Sequence, residues 1–371
     1  MGTGSSRVAG IDVARALAAL VMLQGHATDA WVSPEHQGGL FRASRFLGTF
    51  PLPAFLLLAG TSVAWRVAVG EERGESGQKI GRALRRRGVG LVAMGYAVSL
   101  AFAVLDGTSA TAFVATVLRA DVLHVIGLSI TLAGALIPHR SHYAETLVRR
   151  CVALGILVTI ASPLLPAFDV PLGMAALLGL FVDAAPVTRM PLVPLFAWFA
   201  TGALCTSFMR GGSRTPFAQT AGANASRLVT LGGLALFATF GGYWLMNTLH
   251  AMGGVLNRQH VAIIGNVLDL AGRGALILVV GAGAAPFLPA RLRTHLVLLG
   301  RGSLTVYIVH LPFCYGRFGA PLRDALTSVE AAFGIFVLSL GAYAFVRVWP
   351  FMRSKTRQHL ASFFARRGDL R

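Results

Sequence analysis

Apolar residues run through this chain in long blocks, separated by short polar segments. A helix needs about 20 such residues to cross a bilayer. The blocks predict ten spans, at 11–30, 46–69, 88–105, 122–137, 151–165, 191–209, 228–249, 261–288, 295–313 and 325–349. The fifth is short and ends at Pro163 and Pro166, and the apolar stretch Val170–Val182 reads as a re-entrant segment or an eleventh crossing. The expected fold is therefore an all-α polytopic membrane protein. It forms a single integral domain over 1–371, with a core at about 7–349 and a basic tail at 350–371. Glu71–Arg87 and Gly211–Ser226 carry the glycine, serine and charge content of loops.

Composition supports this class: 55% of the residues are hydrophobic and 13% charged, against about a quarter charged in soluble domains. Charge also orients the chain. With a cytoplasmic N-terminus, 23 of the 33 Lys and Arg fall in inner segments and 7 in outer ones, which is the positive-inside bias. Both termini are then cytoplasmic. The net charge of +18 follows from those basic loops facing the anionic inner leaflet, so a nucleic-acid partner is not expected. Cys151, Cys205 and Cys314 lie in or at the ends of different spans without metal-type spacing, so neither a disulfide framework nor a metal site is expected.

The polar residues inside spans carry the candidate chemistry. In the first span Arg15 and His26 are eleven residues apart, about three helical turns and roughly 16 Å of rise, so Asp12, Arg15, His26 and Asp29 share one stripe. Ionisable groups inside a span face a cavity or a protein partner. A packing network with Asp12 paired to Arg15 is the plainer reading of the stripe, and a polar path through the bilayer the sharper one. Asp29 is spaced to orient the His26 imidazole as a base. In the ninth span Ser303, Tyr307 and His310 share a face, while Arg301 on an ideal helix points to the opposite one. Asp121 and His124 open the fourth span, either as a helix cap with an interfacial histidine or as substrate contacts. Pro51 and Pro53 break or kink the start of the second span, either shaping the mouth of a cavity or making a plain turn between the first two spans. Asp269 and Arg273 in the eighth form an i, i+4 ion pair that reads as structural. His36 lies in the loop after the first span.

These motifs resemble a known superfamily. R-x10-H in the first span, Phe55-Leu-Leu-Leu-Ala-Gly-Thr-Ser62 in the second and Leu299-Gly-Arg-x-Ser-Leu-x-x-Tyr-x-x-His310 in the ninth look like the polytopic membrane acyltransferases. The branches are the acyltransferase-3 family and the heparan-α-glucosaminide N-acetyltransferase-like family. RADVLHVIGL, from Arg119 to Leu128, looks more like the second branch and its bacterial relatives. The resemblance implies an integral protein of the bacterial inner membrane that transfers an acyl group, acetyl foremost, from cytoplasmic acyl-CoA to a hydroxyl or amine of an extracytoplasmic saccharide or glycoconjugate. Arg15 and Arg301 would then hold the acyl-CoA, and His26 would be the base or a transient acyl carrier with Asp29 beside it. Asp121, His124, Tyr307 and His310 would contact the acceptor. The second branch carries its lumenal histidine in the loop after the first span, so His36 competes with His26. A transporter using the same buried Asp, Arg and His path is the rival reading.

Overall fold

The computed structural model describes residues 8–138, 142–165, 168–169, 171, 174, 177–182, 184–185, 190–210, 221–251 and 258–368. These residues form an all-helical body, apart from two-residue strands at Phe168–Asp169 and Ala184–Ala185. Helix α1 is Ala9–Trp31, α2 Gly39–Leu47, α3 Pro51–Glu72, α4 Gly77–Leu105, α5 Ala110–Leu118, α6 Val122–Leu136 and α7 Tyr143–Ala161. After these come α8 Leu192–Arg210, α9 Ala221–Ala251, α10 Arg258–Ala284, α11 Ala290–Arg301, α12 Ser303–Cys314 and α13 Ser328–Gly368. Of the stretch Val170–Val182, positions 171, 174 and 177–182 are described, with turn hydrogen bonds from Phe181 and Val182 to Leu178, and the basic tail continues α13 as helix.

Helices occupy all ten predicted places. Among the described residues, six helical stretches are long and apolar enough to cross a membrane: 39–72, 77–105, 192–210, 225–248, 262–284 and 328–349. The α11–α12 pair makes a seventh if its two halves count as one span. The expected single helix over 295–313 is broken by 71°. The break falls at Gly302, which leaves helical geometry at φ −89° and ψ 7° and lies against Val346 of α13 where a Cβ would collide.

The helix that carries the Asp12–Arg15–His26 stripe is the central one. α1 packs against α3, α10, α11, α12 and α13 and buries Asp12 to 3% exposure. Its polar groups meet protein rather than lipid, as ionisable groups in a span must. Pro51 and Pro53 sit in the first turn of α3, where a missing N–H costs nothing. They therefore begin this helix rather than kink it.

Lipid tails are as apolar as leucine, so helices in a bilayer gain from close packing and hydrogen bonds rather than from escaping water. The α3–α8 contact uses both. Gly60 lies on the Phe199 carbonyl and Gly202 on the Leu57 carbonyl, with no room for a Cβ at either. Thr61 Oγ1 donates to the Gly202 carbonyl and Thr206 Oγ1 to that of Thr61, both at 3.0 Å. Gly202→Val is expected to destabilise the protein by about 1–3 kcal/mol, as overpacking does. Gly233→Val, where the added atom meets nothing within 4 Å, is expected to be neutral. Thermal unfolding of the two variants in detergent checks the pair.

Candidate functional site

A cavity of about 380 Å³ lies between α1 and α3, the α4–α6 pair and the α11–α12 elbow. The sequence builds it by placing a charged residue at one end of α1 and an imidazole three turns later. Arg15, Arg66, Arg87 and Arg301 line one end, and His26, Asp121, Tyr307 and Tyr315 the other, with mostly apolar wall between them.

Three of these arginines are tied to two acids. Asp12 Oδ1 accepts from Arg15 Nη1 at 2.9 Å, and Asp12 Oδ2 accepts from Arg301 Nε at 3.2 Å. Arg15 Nη2 also donates to Ser62 Oγ on α3. Arg66 Nη2 donates to Glu75 Oε2 at 2.7 Å. That hydrogen bond holds the Glu75 carboxyl below the usual carboxylate range. Four guanidiniums against these two carboxylates leave this end two charges positive, a setting that suits phosphate. Arg301 reaches the cavity because the chain bends at Gly302, which removes the opposite-face relation that an unbroken helix would impose on Arg301 and His310.

At the other end, His26 Nδ1 and His310 Nε2 are 2.8 Å apart with the rings stacked, and His310 Nδ1 is 3.0 Å from the Val306 carbonyl. A carbonyl only accepts, so His310 Nδ1 carries the proton and donates. With both rings neutral, His310 Nε2 must accept and His26 Nδ1 must donate. The basic lone pair of the dyad is then on His26 Nε2. His310 is fully buried, whereas His26 lines the cavity. The edge of Tyr315 packs on the His26 ring, with centroids 5.3 Å apart.

The other candidates separate by position. Tyr307 Oη donates to Asp121 Oδ2 at 3.2 Å, and both residues line the cavity. Asp121 also caps α6 through Val122 N at 2.7 Å. His124 completes that capping box: it is fully buried, accepts from Asp121 N at 3.1 Å and packs on Tyr96, outside the cavity wall. The capping reading of Asp121 and His124 is the one seen, and a substrate contact by His124 has no surface to act through. Asp29, expected to orient His26, is instead half exposed and paired with Arg45 at 3.3 Å; the ring bonded to His26 Nδ1 is His310. His36 sits exposed on a one-turn 3-10 helix, bonded to Ser33 at 2.8 Å, and is not among the cavity-lining residues. Arg66 was missed among the basic loop residues. The signal for it was its place one turn after Ser62 on the same face of α3.

Residues 7–251 match the family described as heparan-alpha-glucosaminide N-acetyltransferase, catalytic. No curated protein matches the chain. The matched stretch includes Arg15, His26 and Asp121 and ends before Arg301 and His310.

Proposed function

Because the chain belongs to the heparan-alpha-glucosaminide N-acetyltransferase catalytic family, a family of membrane acetyltransferases acting on saccharides, we propose that it moves an acetyl group from cytoplasmic acyl-CoA to a hydroxyl or amine of an extracytoplasmic saccharide. The observation that carries this reading is the cavity, with its excess of arginine at one end and a histidine dyad at the other. In this reading the chain has ten spans with both termini cytoplasmic, in the inner membrane of a bacterium, so that the arginine end faces inward and His26 outward; the excess of Lys and Arg in the inner segments supports that orientation.

In this reading Arg15 and Arg301, with Arg66 beside them, hold the phosphates of acyl-CoA by charge-assisted hydrogen bonds. The pantetheine arm runs along the apolar wall, and the roughly 16 Å between Arg15 and His26 suits its extended length. His26 Nε2 takes the proton of the acceptor O–H or N–H as the acceptor attacks the thioester carbonyl. The C–S bond breaks, and the thiolate leaving group receives that proton from the imidazolium. His310, anchored to Val306, accepts from His26 Nδ1 and keeps the ring in the productive tautomer. Asp121 and Tyr307, at the same end of the cavity as the dyad, contact acceptor hydroxyls.

The test uses the full chain in nanodiscs with radiolabelled acetyl-CoA and a panel of amino and hydroxy sugars. Wild type is expected to bind saturably and to release acetyl to one class of acceptor. Arg15→Ala is expected to weaken binding by about tenfold or more, the scale of about 1.5–3 kcal/mol for a hydrogen bond to a charged group. A folded wild type that binds neither acetyl-CoA nor longer acyl-CoAs sinks this reading and returns the cavity to a transport path, which flux assays would then measure.

A further inference from the structure

We infer that Asp12 is the positioning residue of the arginine end: one buried carboxylate that holds guanidiniums from two helices at a fixed spacing and latches the α11–α12 elbow onto α1. The inference rests on the reading that this end receives acyl-CoA. Its own ground is the geometry around Asp12.

The carboxylate is divided between helices. Oδ1 takes Arg15, one turn along the same helix, and Oδ2 takes Arg301, the last residue of α11. The backbone is arranged to allow this. Gly300 lies directly on the Asp12 carbonyl, and any Cβ there would overlap it. α11 is therefore pressed onto α1 at this level, and one residue after Arg301 the chain turns away at Gly302. Arg301 sits at the elbow itself, tied back by its Nε alone.

A carboxylate beside a phosphate site could act in either direction. It could fix the arginines, or it could repel the anion they bind. Exposure decides. The Asp12 side chain is 5% exposed, against 24% for Arg15 and 48% for Arg301. An incoming phosphate meets guanidinium nitrogen, and the carboxylate stands behind it with both oxygens engaged. Without Asp12, two like charges drawn to one point repel each other and the elbow loses its tie. Positioning outweighs repulsion, so loss of the acid should weaken anion binding even though it makes the site more positive.

The experiment uses the full chain in nanodiscs. Asp12→Asn is expected to raise KM for acetyl-CoA, and the Kd of CoA itself, by about tenfold. The expected kcat stays within about twofold, the pattern of lost uniform binding, because His26 lies about four turns away. The loss with Asp12→Asn and Arg301→Gln together should fall short of the product of the two single losses, since the Asp12–Arg301 link is common to both, although Asp12→Asn also frees Arg15 and Arg301→Gln also removes a phosphate contact. Three results would each overturn the inference: KM and Kd unchanged or lowered in Asp12→Asn, kcat lost at constant KM, or losses that multiply in the double variant. Where Asp12→Asn does not fold, Arg301→Gln decides alone, and wild-type CoA affinity in it overturns the latch. A wild type that binds no CoA sinks the proposed function itself and takes this inference with it, whereas a competent wild type with indifferent Asp12 variants sinks the latch only.

Discussion

Replacing His26 with alanine is expected to lower acetyl transfer by about 10²–10⁴-fold, the usual contribution of a positioned general base, while CoA binding and membrane abundance stay at wild-type levels. The tautomer argument makes the expectation specific. His310 Nδ1 is committed to the Val306 carbonyl and its Nε2 to His26, which puts the basic nitrogen on His26 Nε2. His310→Ala removes the orienting partner and leaves the base in place, so its loss should be smaller than that of His26→Ala. His36→Ala should leave turnover unchanged, because that imidazole is exposed and bonded to Ser33 away from the cavity wall. Asp29→Asn should also leave it unchanged, since Asp29 pairs with Arg45 on α2. Single-turnover rates with preloaded labelled acetyl-CoA separate chemistry from binding. Turnover comparable to wild type in His26→Ala at equal expression would remove the base from the mechanism. Loss in His36→Ala instead would move the reaction to the loop after the first helix.

The same residues show what one sequence makes legible. The Arg15–His26 spacing was readable because both lie on one helix, whose period fixes their relative angle and rise. The pairing of His26 with His310 was not, because the two are 284 residues apart and no period links one helix to another. For the same reason Asp12 read only as the local partner of Arg15, and its second bond, to Arg301, had no local signature. The ninth span failed differently. Its hydropathy is continuous, but Gly300 and Gly302 admit backbone and side chains from α1 and α13, and this tertiary approach breaks a helix that local propensity would continue. At the start of α6 the local reading was sufficient: Asp121 and His124 at i, i+3 form a capping box, so the acceptor role assigned to His124 lost to the cap, while Asp121 serves the cap and also reaches the cavity. Arg66 shows the cost of sorting charges by loop, since a cavity residue was counted as one more cation of the positive-inside bias.

Arg273→Ala is expected to be strongly destabilising. Asp269 and Arg273 on α10 are 2% and 9% exposed. Arg273 Nε and Nη2 reach the two Asp269 oxygens at 2.7 and 2.5 Å, and Nη1 reaches Thr49 Oγ1 at 2.5 Å. The guanidinium also lies 4.8 Å from the Phe46 ring centroid and 5.7 Å from that of Phe50. A buried ion pair is weak evidence for net stability, because taking both charges out of water costs about what their attraction returns, but removing one partner strands the other at a cost of about 3–5 kcal/mol. Arg273→Ala should therefore lose that much, seen as collapse of the folded fraction in size exclusion and a large fall in Tm in detergent. The double variant Asp269→Leu/Arg273→Met, which strands no charge, should recover most of it. It should not recover the tie to Thr49, which holds the α2–α3 elbow whose Gly48 and Pro51 line the cavity. The double variant should thus be stable and yet raise KM for the acceptor, because the mouth nearest His26 is no longer fixed. Equal stability of the single and double variants would show that the pair is not buried as a charge. A stable double variant with wild-type acceptor KM would confine the pair to holding helices together.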